Sequence, residues 1–385
     1  MSLDPQSALR RAVILGAGGI AGKFKAALAE IEGVRLVAAS ARTPGKAAAF
    51  LAGVNDEQGR LARSYIDSRE MLQRERPDFA IDCSPSGAHF DNILLCAEEA
   101  VDLLSEKPIV MGMHQLQDAV AAAAEAGIKV GGVFQHRYLP CYQELHAALA
   151  EGRFGRLSAI NVCVPWFRGE QYYRSGEWRG KPESDGGAVM NQGSHEVDLA
   201  LWLGSAALRL PRGQNPVEML SAFTSNVAHQ GLITVEDTAT VNVLFRNGAL
   251  GSWYFSTAAN SKEEGAKSVS VFGSGGSVVI AGNAVARWDF VEELPKDAEI
   301  RSRCGVSTSG NASKNPLAIA HGPHRANVEA FMAWLDGDDG FELDIVGAGM
   351  APVTIDAIYE SAKTGGSVVA PSNLGHLMRL ANRVH

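Results

Sequence analysis

Residues 12–21 read Ala12-Val13-Ile14-Leu15-Gly16-Ala17-Gly18-Gly19-Ile20-Ala21, and this stretch decides the fold. Four consecutive apolar residues mark a strand covered on both faces, as in a parallel sheet. The glycines break the strand, and residues 20–31 continue with helical spacing. Gly16 to Ala21 fits the G-x-G-x-x-G/A pattern of a dinucleotide-binding turn. There glycine lets the backbone approach a pyrophosphate, and the helix N-terminus receives its charge. The contacts expected are Gly16, Ala17, Gly18, Gly19 and Ile20. Glycine-rich strand–helix turns that bind nothing share the bare pattern, so the weight lies in its context, after a strand and opening a helix.

Outward from this turn the first third of the chain alternates strand and helix. Strands are expected at 34–39, 78–83, 101–104 and 128–134, and helices at 89–100 and 113–126, the latter closed by Gly127. Thr43-Pro44 supplies a helix cap and a first-turn proline. Such a rhythm with short turns calls for a parallel sheet with helices on both faces. Beyond about residue 135 the rhythm changes. A helix at 138–151 leads to alternating segments at 157–164, 217–225, 238–245, 249–256 and 268–272, with Arg246-Asn247-Gly248 as a hairpin turn. Helical patterns return at 188–203, 326–335 and 350–363. The expected fold is an α/β Rossmann domain over 1–134, followed over 135–385 by an α+β domain with a large, mostly antiparallel open sheet.

Composition narrows the partners. Of 385 residues, 35 are Lys or Arg and 43 Asp or Glu, a net charge of −8 without a basic block, which removes the electrostatic footprint of a nucleic-acid partner. The 46% hydrophobic content excludes a disordered chain. The five cysteines are odd in number and form no C-x-x-C pair, arguing for a reducing compartment and against a disulfide framework or zinc ribbon. Arg10-Arg11 before an apolar stretch imitates an export signal, but the glycines inside it and the charged helix that follows oppose that reading. No run of about 18 apolar residues exists to span a membrane. The expectation is a cytoplasmic protein, with residues 1–6 as a tail.

The end of the second strand bears on cofactor choice. A free ribose diol normally meets an Asp or Glu about 20 residues after the first glycine. Here Ser40, Ala41, Arg42 and Lys46 occupy that stretch, and no carboxylate occurs between Glu32 and Asp56. Ser40 offers a hydrogen bond to a 2′-phosphate, and Arg42 and Lys46 offer charge, so NAD(P) is expected with a leaning to NADP. A merely solvated, basic helix start is the alternative.

Further motifs complete the picture. Ser84-Pro85-x-x-x-His89 and Glu106-Lys107-Pro108 follow successive strands. Phe134-Gln135-His136-Arg137-Tyr138 marks the expected domain junction, and Trp178-Arg179-Gly180 precedes Gly186-Gly187-Ala188-Val189-Met190-Asn191-Gln192-Gly193-Ser194-His195-Glu196-Val197-Asp198. In this order and spacing the chain resembles the Gfo/Idh/MocA family of glucose–fructose oxidoreductase-like and inositol dehydrogenase-like enzymes, over nearly its whole length. The variant here has M-N-Q-G-x-H where D-x-G-x-H is commoner.

The resemblance implies hydride transfer between a nicotinamide and a secondary alcohol or carbonyl of a sugar, inositol or sugar derivative. It sets Lys107 beside the nicotinamide and the reacting carbon, where a cation stabilises the developing charge on oxygen. Glu106 would orient that lysine or touch the nicotinamide ribose. His195 carries over as general base. Asn191, four residues earlier and on the same helical face, departs from the family's aspartate: asparagine binds a hydroxyl but takes no proton. Asp198 is expected to be structural. Ser84, Pro85, His89, Gln135, Trp178 and Arg179 are expected at the cofactor, and Arg137 and Tyr173 at the substrate, with Tyr172 and Arg174 nearby. A homo-oligomer formed through the open sheet face is also implied.

Besides a pure binding or scaffold module, which would show no cofactor-dependent turnover, two other readings stay open on the same residues. One is a family-related glycosidase that uses held NAD for transient oxidation. The other is a catalytically silent, dinucleotide-sensing regulator, which retention of both Lys107 and His195 opposes. His321 and His324 have no third ligand at a diagnostic spacing, so no metal is expected. Asn311-Ala312-Ser313 is a glycosylation sequon by pattern only.

Overall fold

A computed structural model of the chain describes residues 9–55, 61–260, 267–305 and 321–381. The expected tail at 1–6 and the Asn311-Ala312-Ser313 sequon lie outside the described residues. Contacts divide the chain into two units, each taken by itself below. One holds the described parts of Met1–Gln135, Ala320–Ala348 and Arg379–His385, and the other those of His136–Ile319 and Gly349–Met378.

In the first unit the chain runs through β1 (Arg10–Leu15), α1 (Ala21–Glu30), β2 (Val34–Ser40), α2 (Lys46–Phe50), β3 (Arg63–Tyr65) and α3 (Ser68–Glu75). It continues through β4 (Phe79–Asp82), α4 (His89–Glu98), β5 (Asp102–Ser105), α5 (Met113–Ala126) and β6 (Val130–Gly132). Among the described residues the strands form a six-stranded sheet in the order β3-β2-β1-β4-β5-β6, parallel throughout. The stretch that imitates an export signal forms the inner strand β1, where Ala12, Val13 and Ile14 expose no surface. Strand order reverses between β1 and β4, and in open α/β sheets ligands bind outside the strand ends at such a switch point. Sequence periodicity missed β3, which is short and polar. Its anchor is tertiary: the buried carboxylate of Glu75 accepts from Arg11 (3.0 Å), Arg63 (2.6 Å) and Tyr65 (2.6 Å).

The second unit contains α6 (Pro140–Ala150), β7 (Leu157–Pro165), α7 (Glu170–Arg174), α8 (Ser194–Leu208), β8 (Val217–Ser225) and β9 (Thr238–Phe245). These are followed by β10 (Leu250–Ser256), β11 (Ser268–Gly273), β12 (Gly276–Ala281), β13 (Ala284–Phe290) and α9 (Pro295–Cys304). Its seven-stranded sheet has the order β13-β12-β11-β7-β10-β9-β8. Among the described residues only the β7–β10 pair is parallel. Alternation along β9 puts Ala239, Val241, Val243 and Phe245 inside and leaves Thr240 and Asn242 exposed, the pattern of a sheet with one covered face. Helix α8 packs between this sheet and α6, with every residue from Ser194 to Gly204 buried. A helix apolar on all sides needs such double cover.

Three helices close the chain: α10 (Gly322–Leu335), α11 (Ile345–Lys363) and α12 (Gly375–Ala381). The expectation that 135–385 forms one domain is corrected here, because α10 belongs with the first unit. It packs on α1, where the His324 ring meets Phe24 edge-on at 5.4 Å, and Phe331 meets Phe79 beneath the sheet at 5.8 Å. No helix among the described residues is long and apolar enough to cross a membrane.

Candidate active site

In the first unit, the ends of β1, β4 and β5 converge. Gly16 takes φ +90°, and its N–H donates to the Ser40 carbonyl at 3.0 Å. A Cβ at this position would lie 2.8 Å from the Ser84 nitrogen and 2.9 Å from the Cys83 carbonyl oxygen. Both the left-handed backbone and the close approach therefore require glycine. Helix α1 then opens at Ile20 without a side-chain cap and without an acid in its first turn, so no carboxylate competes for the positive end of the helix. A pyrophosphate-bearing dinucleotide fits this turn.

The neighbouring strand ends are tied together by polar contacts. Asp82, fully buried at the end of β4, accepts from the Ser84 N–H (2.9 Å) and from Asn92 (2.9 Å), which also donates to the Ser84 hydroxyl (3.1 Å). The buried ring of His89 bridges the Pro108 carbonyl (Nδ1, 2.7 Å) and the Ser84 carbonyl (Nε2, 3.0 Å). It thereby stitches the Ser84-Pro85 loop to the Glu106-Lys107-Pro108 turn and has no ring nitrogen left for a ligand. Any contact with a cofactor would then be made by the face of its ring. Glu106 is buried, with Oε2 accepting the Lys107 N–H at 3.1 Å and Oε1 without a partner. Burial pushes its carboxyl above the usual range, while the charge and N–H of Lys107 pull the other way. A buried, unpartnered carboxyl oxygen beside a half-buried lysine is a place for a ligand hydroxyl or amide. At the end of β2, Ser40 is buried and its hydroxyl meets that of Ser68 at 2.9 Å, whereas Arg42 and Lys46 are exposed.

In the second unit, residues 188–193 form a π-helical turn running into α8. Asn191 lies in this turn and His195 on the first turn of α8, so the two are not joined by one uninterrupted α-helix. Asn191 instead donates to the buried carboxylate of Asp185 and, at 3.3 Å, to the hydroxyl of Tyr172. That hydroxyl also accepts from Gln192 at 3.0 Å. The carboxylate that position 191 lacks is thus provided six residues upstream. Asp185 is itself held by the Gly180 N–H at 2.7 Å. Two arginines frame the cluster. Arg179 lies over the rings of Tyr172 (4.0 Å) and Trp178 (4.3 Å). Arg168, buried after β7, donates to Gln192 at 2.8 Å, and burial works against its charge.

Other expected positions sort differently. Arg137 makes a bidentate pair with Asp198 (2.8 and 2.6 Å), both buried, so its guanidinium is committed to the protein rather than to a substrate. Tyr173 turns its hydroxyl to Thr257 at 2.9 Å, leaving Tyr172 as the tyrosine beside Asn191. Arg174 pairs on the surface with Glu170. Gln135 is buried just beyond β6. His321 pairs with Glu30 while His324 packs on Phe24, so these two histidines part company. His195 is buried on the first turn of α8 with its ring 4.3 Å from that of His136.

Beneath the π turn lies a carboxyl that sequence reading missed. Glu236 Oε1 accepts from the Val189 N–H and the Tyr359 hydroxyl, both at 3.0 Å, and a Cβ on Gly187 would overlap this carboxyl. Burial raises Glu236 from the ordinary 4.5 to about 7, against the pull of its donors. The folded state thus favours the protonated acid. Stability should be full below about pH 4.5 and decline as pH rises towards 7. Glu236→Gln should remove that decline, as read from the difference in Tm between parent and variant across this range; parallel curves would contradict it. Asn191→Asp should set two carboxylates against each other and cost about 1–3 kcal/mol. Asp185→Asn with Asn191→Asp should recover most of the loss in denaturant unfolding, and a double variant no better than the single would contradict the pairing.

With this geometry in hand, comparisons with known proteins agree for both units. The model of the oxidoreductase family with an NAD-binding Rossmann fold matches residues 10–134, and that of the GFO/IDH/MocA C-terminal domain matches residues 142–279. The chain is 26% identical over 277 residues to D-glucoside 3-dehydrogenase of Escherichia coli (strain K12), covering 68% of this chain and 74% of that one. It is 24% identical over 272 residues to 1,5-anhydro-D-fructose reductase of Ensifer adhaerens, covering 69% and 74%. Other curated relatives are matched over as little as 34% of their length. A crystal structure of the WlbA dehydrogenase from Bordetella pertussis, in complex with NADH and UDP-GlcNAcA, superposes with a TM-score of 0.83 at 29% identity, covering 96% of this chain and 100% of that one. Two models of one family match in the order in which the sequence motifs run, and the chain belongs to the Gfo/Idh/MocA oxidoreductase family.

Proposed function

We propose that this protein transfers a hydride between NADP(H) and a secondary alcohol or carbonyl of a sugar derivative carrying an acidic group. The observation that carries this reading is the convergence of the Gly16 turn, the Ser84-Pro85 loop and the Glu106-Lys107 turn at the switch point of the parallel sheet. Nicotinamide, when bound, supplies the hydride chemistry. Lys107 stabilises the charge that develops on the reacting oxygen, and Glu106 offers its free oxygen to a ribose hydroxyl. His195 takes or gives the proton of the carbinol, and Asn191, held by Asp185, binds a substrate hydroxyl. Trp178 and Arg179 are assigned to the nicotinamide end of the cofactor.

Support for an acidic sugar comes from two positive charges near Asn191: Arg168, which donates to the adjacent Gln192, and Arg179, which lies over the ring of Tyr172. The acidic sugar nucleotide named in the WlbA structure agrees with that chemistry. Support for NADP comes from exposed Arg42 and Lys46 on a stretch without a carboxylate. Ser40 is held beside them by Ser68, whose hydroxyl it meets at 2.9 Å. The proposal extends to self-association through the sheet that exposes Met219, Phe223 and Leu250. It also includes a reducing cytoplasmic setting, supported by five free cysteines.

Lys107→Met should leave cofactor affinity within a few-fold and cut turnover by about 10² or more, since one positioned proton-transfer or electrostatic group typically contributes that much. Steady-state kinetics with a panel of acidic and neutral sugars would show it, and parental turnover would reject the site. Titration of tryptophan fluorescence should find NADP(H) bound about ten- to a hundredfold more tightly than NAD(H), the effect of charge-assisted phosphate contacts. Equal or reversed affinities would overturn the cofactor preference while leaving the reaction class standing.

A further inference from the structure

The second unit buries a charged cluster that the functional reading does not use. Lys267, just before β11, is 4% exposed, and its ammonium donates to Glu196 Oε1 at 2.5 Å. The same nitrogen stands 3.0 Å from Nδ1 and 3.4 Å from Nε2 of His136. Glu196 exposes no surface, and its second oxygen has no hydrogen-bond partner. Burial alone would raise its carboxyl, but Lys267 and then His136 outweigh it and hold the group down at about 2. An ammonium has donors and no acceptor, so whichever ring nitrogen it meets must keep its lone pair. A ring that accepts from Lys267 is a neutral one, and the His136 ring lies 4.3 Å from that of His195 at an interplanar angle of 42°.

That proximity gives the cluster a consequence. Two imidazolium rings so close would oppose each other in a water-poor interior. A neutral His136 instead offers an uncharged aromatic face to a charge arriving on His195. We propose that Lys267 and Glu196 are positioning residues for His195: by keeping His136 neutral, they leave His195 as the ring of the pair that accepts a proton. This rests on His195 as the base proposed above. The other titratable groups on elements packed against α8 are Cys141, Tyr142, Glu144 and His146 of α6 and Cys163 of β7. Glu144 pairs with Arg303, and His146 stacks on Trp202 at 3.9 Å. On α8 itself Asp198 is neutralised by Arg137.

Without Lys267, Glu196 would keep no cation, and the nearest proton acceptor is His136, 3.3 Å away. The ring would then become the imidazolium partner of the carboxylate and suppress protonation of His195. Histidine-selective labelling and NMR titration of the full chain test this without a substrate, with His195 assigned by the signal lost in His195→Asn. In the parent, the His136 signal should stay that of a neutral ring through the neutral range. In Lys267→Met it should become that of an imidazolium, and the His195 midpoint should fall by about one pH unit or more. Lys267→Met with Glu196→Gln removes both charges and should return His195 to its parental midpoint. His136→Phe keeps a neutral ring and should leave that midpoint in place, which carries the test if Lys267→Met alone does not fold. A His136 signal already cationic in the parent overturns the inference, as does a His195 midpoint unmoved in Lys267→Met or displaced in His136→Phe. Turnover separates the two levels: full activity of His195→Asn would reject the base assignment, whereas an inactive His195→Asn with unmoved midpoints would reject only the role of Lys267 and Glu196.

Discussion

A carboxylate taken out of water must be given donors, a cation or a proton. Both units are arranged around acids that meet this demand in different ways. Asp82 is satisfied by the Ser84 N–H and Asn92, which fixes the loop that faces Gly16. Asp198 takes the two-pronged guanidinium of Arg137, and Glu196 takes the ammonium of Lys267. Asp185 is served by Asn191 and the Gly180 N–H. Glu236, with two donors and no cation, moves towards the protonated form. Glu106, like Glu196, keeps one oxygen without a hydrogen-bond partner, here at the end of β5. Each of these contacts ties its acid to a neighbouring loop, strand or helix within its own unit.

Much of this was legible in the sequence where local rules operate. The apolar run before Gly16, the glycine turn and the alternation along β9 read correctly because burial on two faces and on one face leave different periods. Arg246-Asn247-Gly248 read as a hairpin because its glycine takes φ +85°. What stayed hidden depends on partners distant in sequence. Strand β3 has no apolar pattern and exists through Glu75. Helix α10 reads as an ordinary amphipathic segment, and nothing local says that Phe331 will pack on Phe79 rather than in the second unit.

The site divides along the same line. Motif spacing singled out Lys107, Asn191 and His195, but it did not show the π turn at 188–193 that carries Asn191. Arg137 and Tyr173 looked available because a sequence does not show that Asp198 and Thr257 already hold them. Asp185 sits in a glycine-flanked loop without periodicity, and Lys267 precedes a strand where a lysine ordinarily reads as solvated. A carboxamide at position 191 is the one local hint that an acid must come from elsewhere.

The reaction proposed above is hydride transfer to or from a sugar derivative, with an acidic group as its proposed mark of recognition. Rapid mixing of the enzyme and oxidised NADP with an acidic hexose derivative, and separately with its neutral counterpart, would follow nicotinamide absorbance directly. The account predicts reduction of the cofactor by the acidic sugar and much slower reduction by the neutral one. Tight cofactor binding with no absorbance change for any sugar would contradict it and identify a sensor rather than a dehydrogenase.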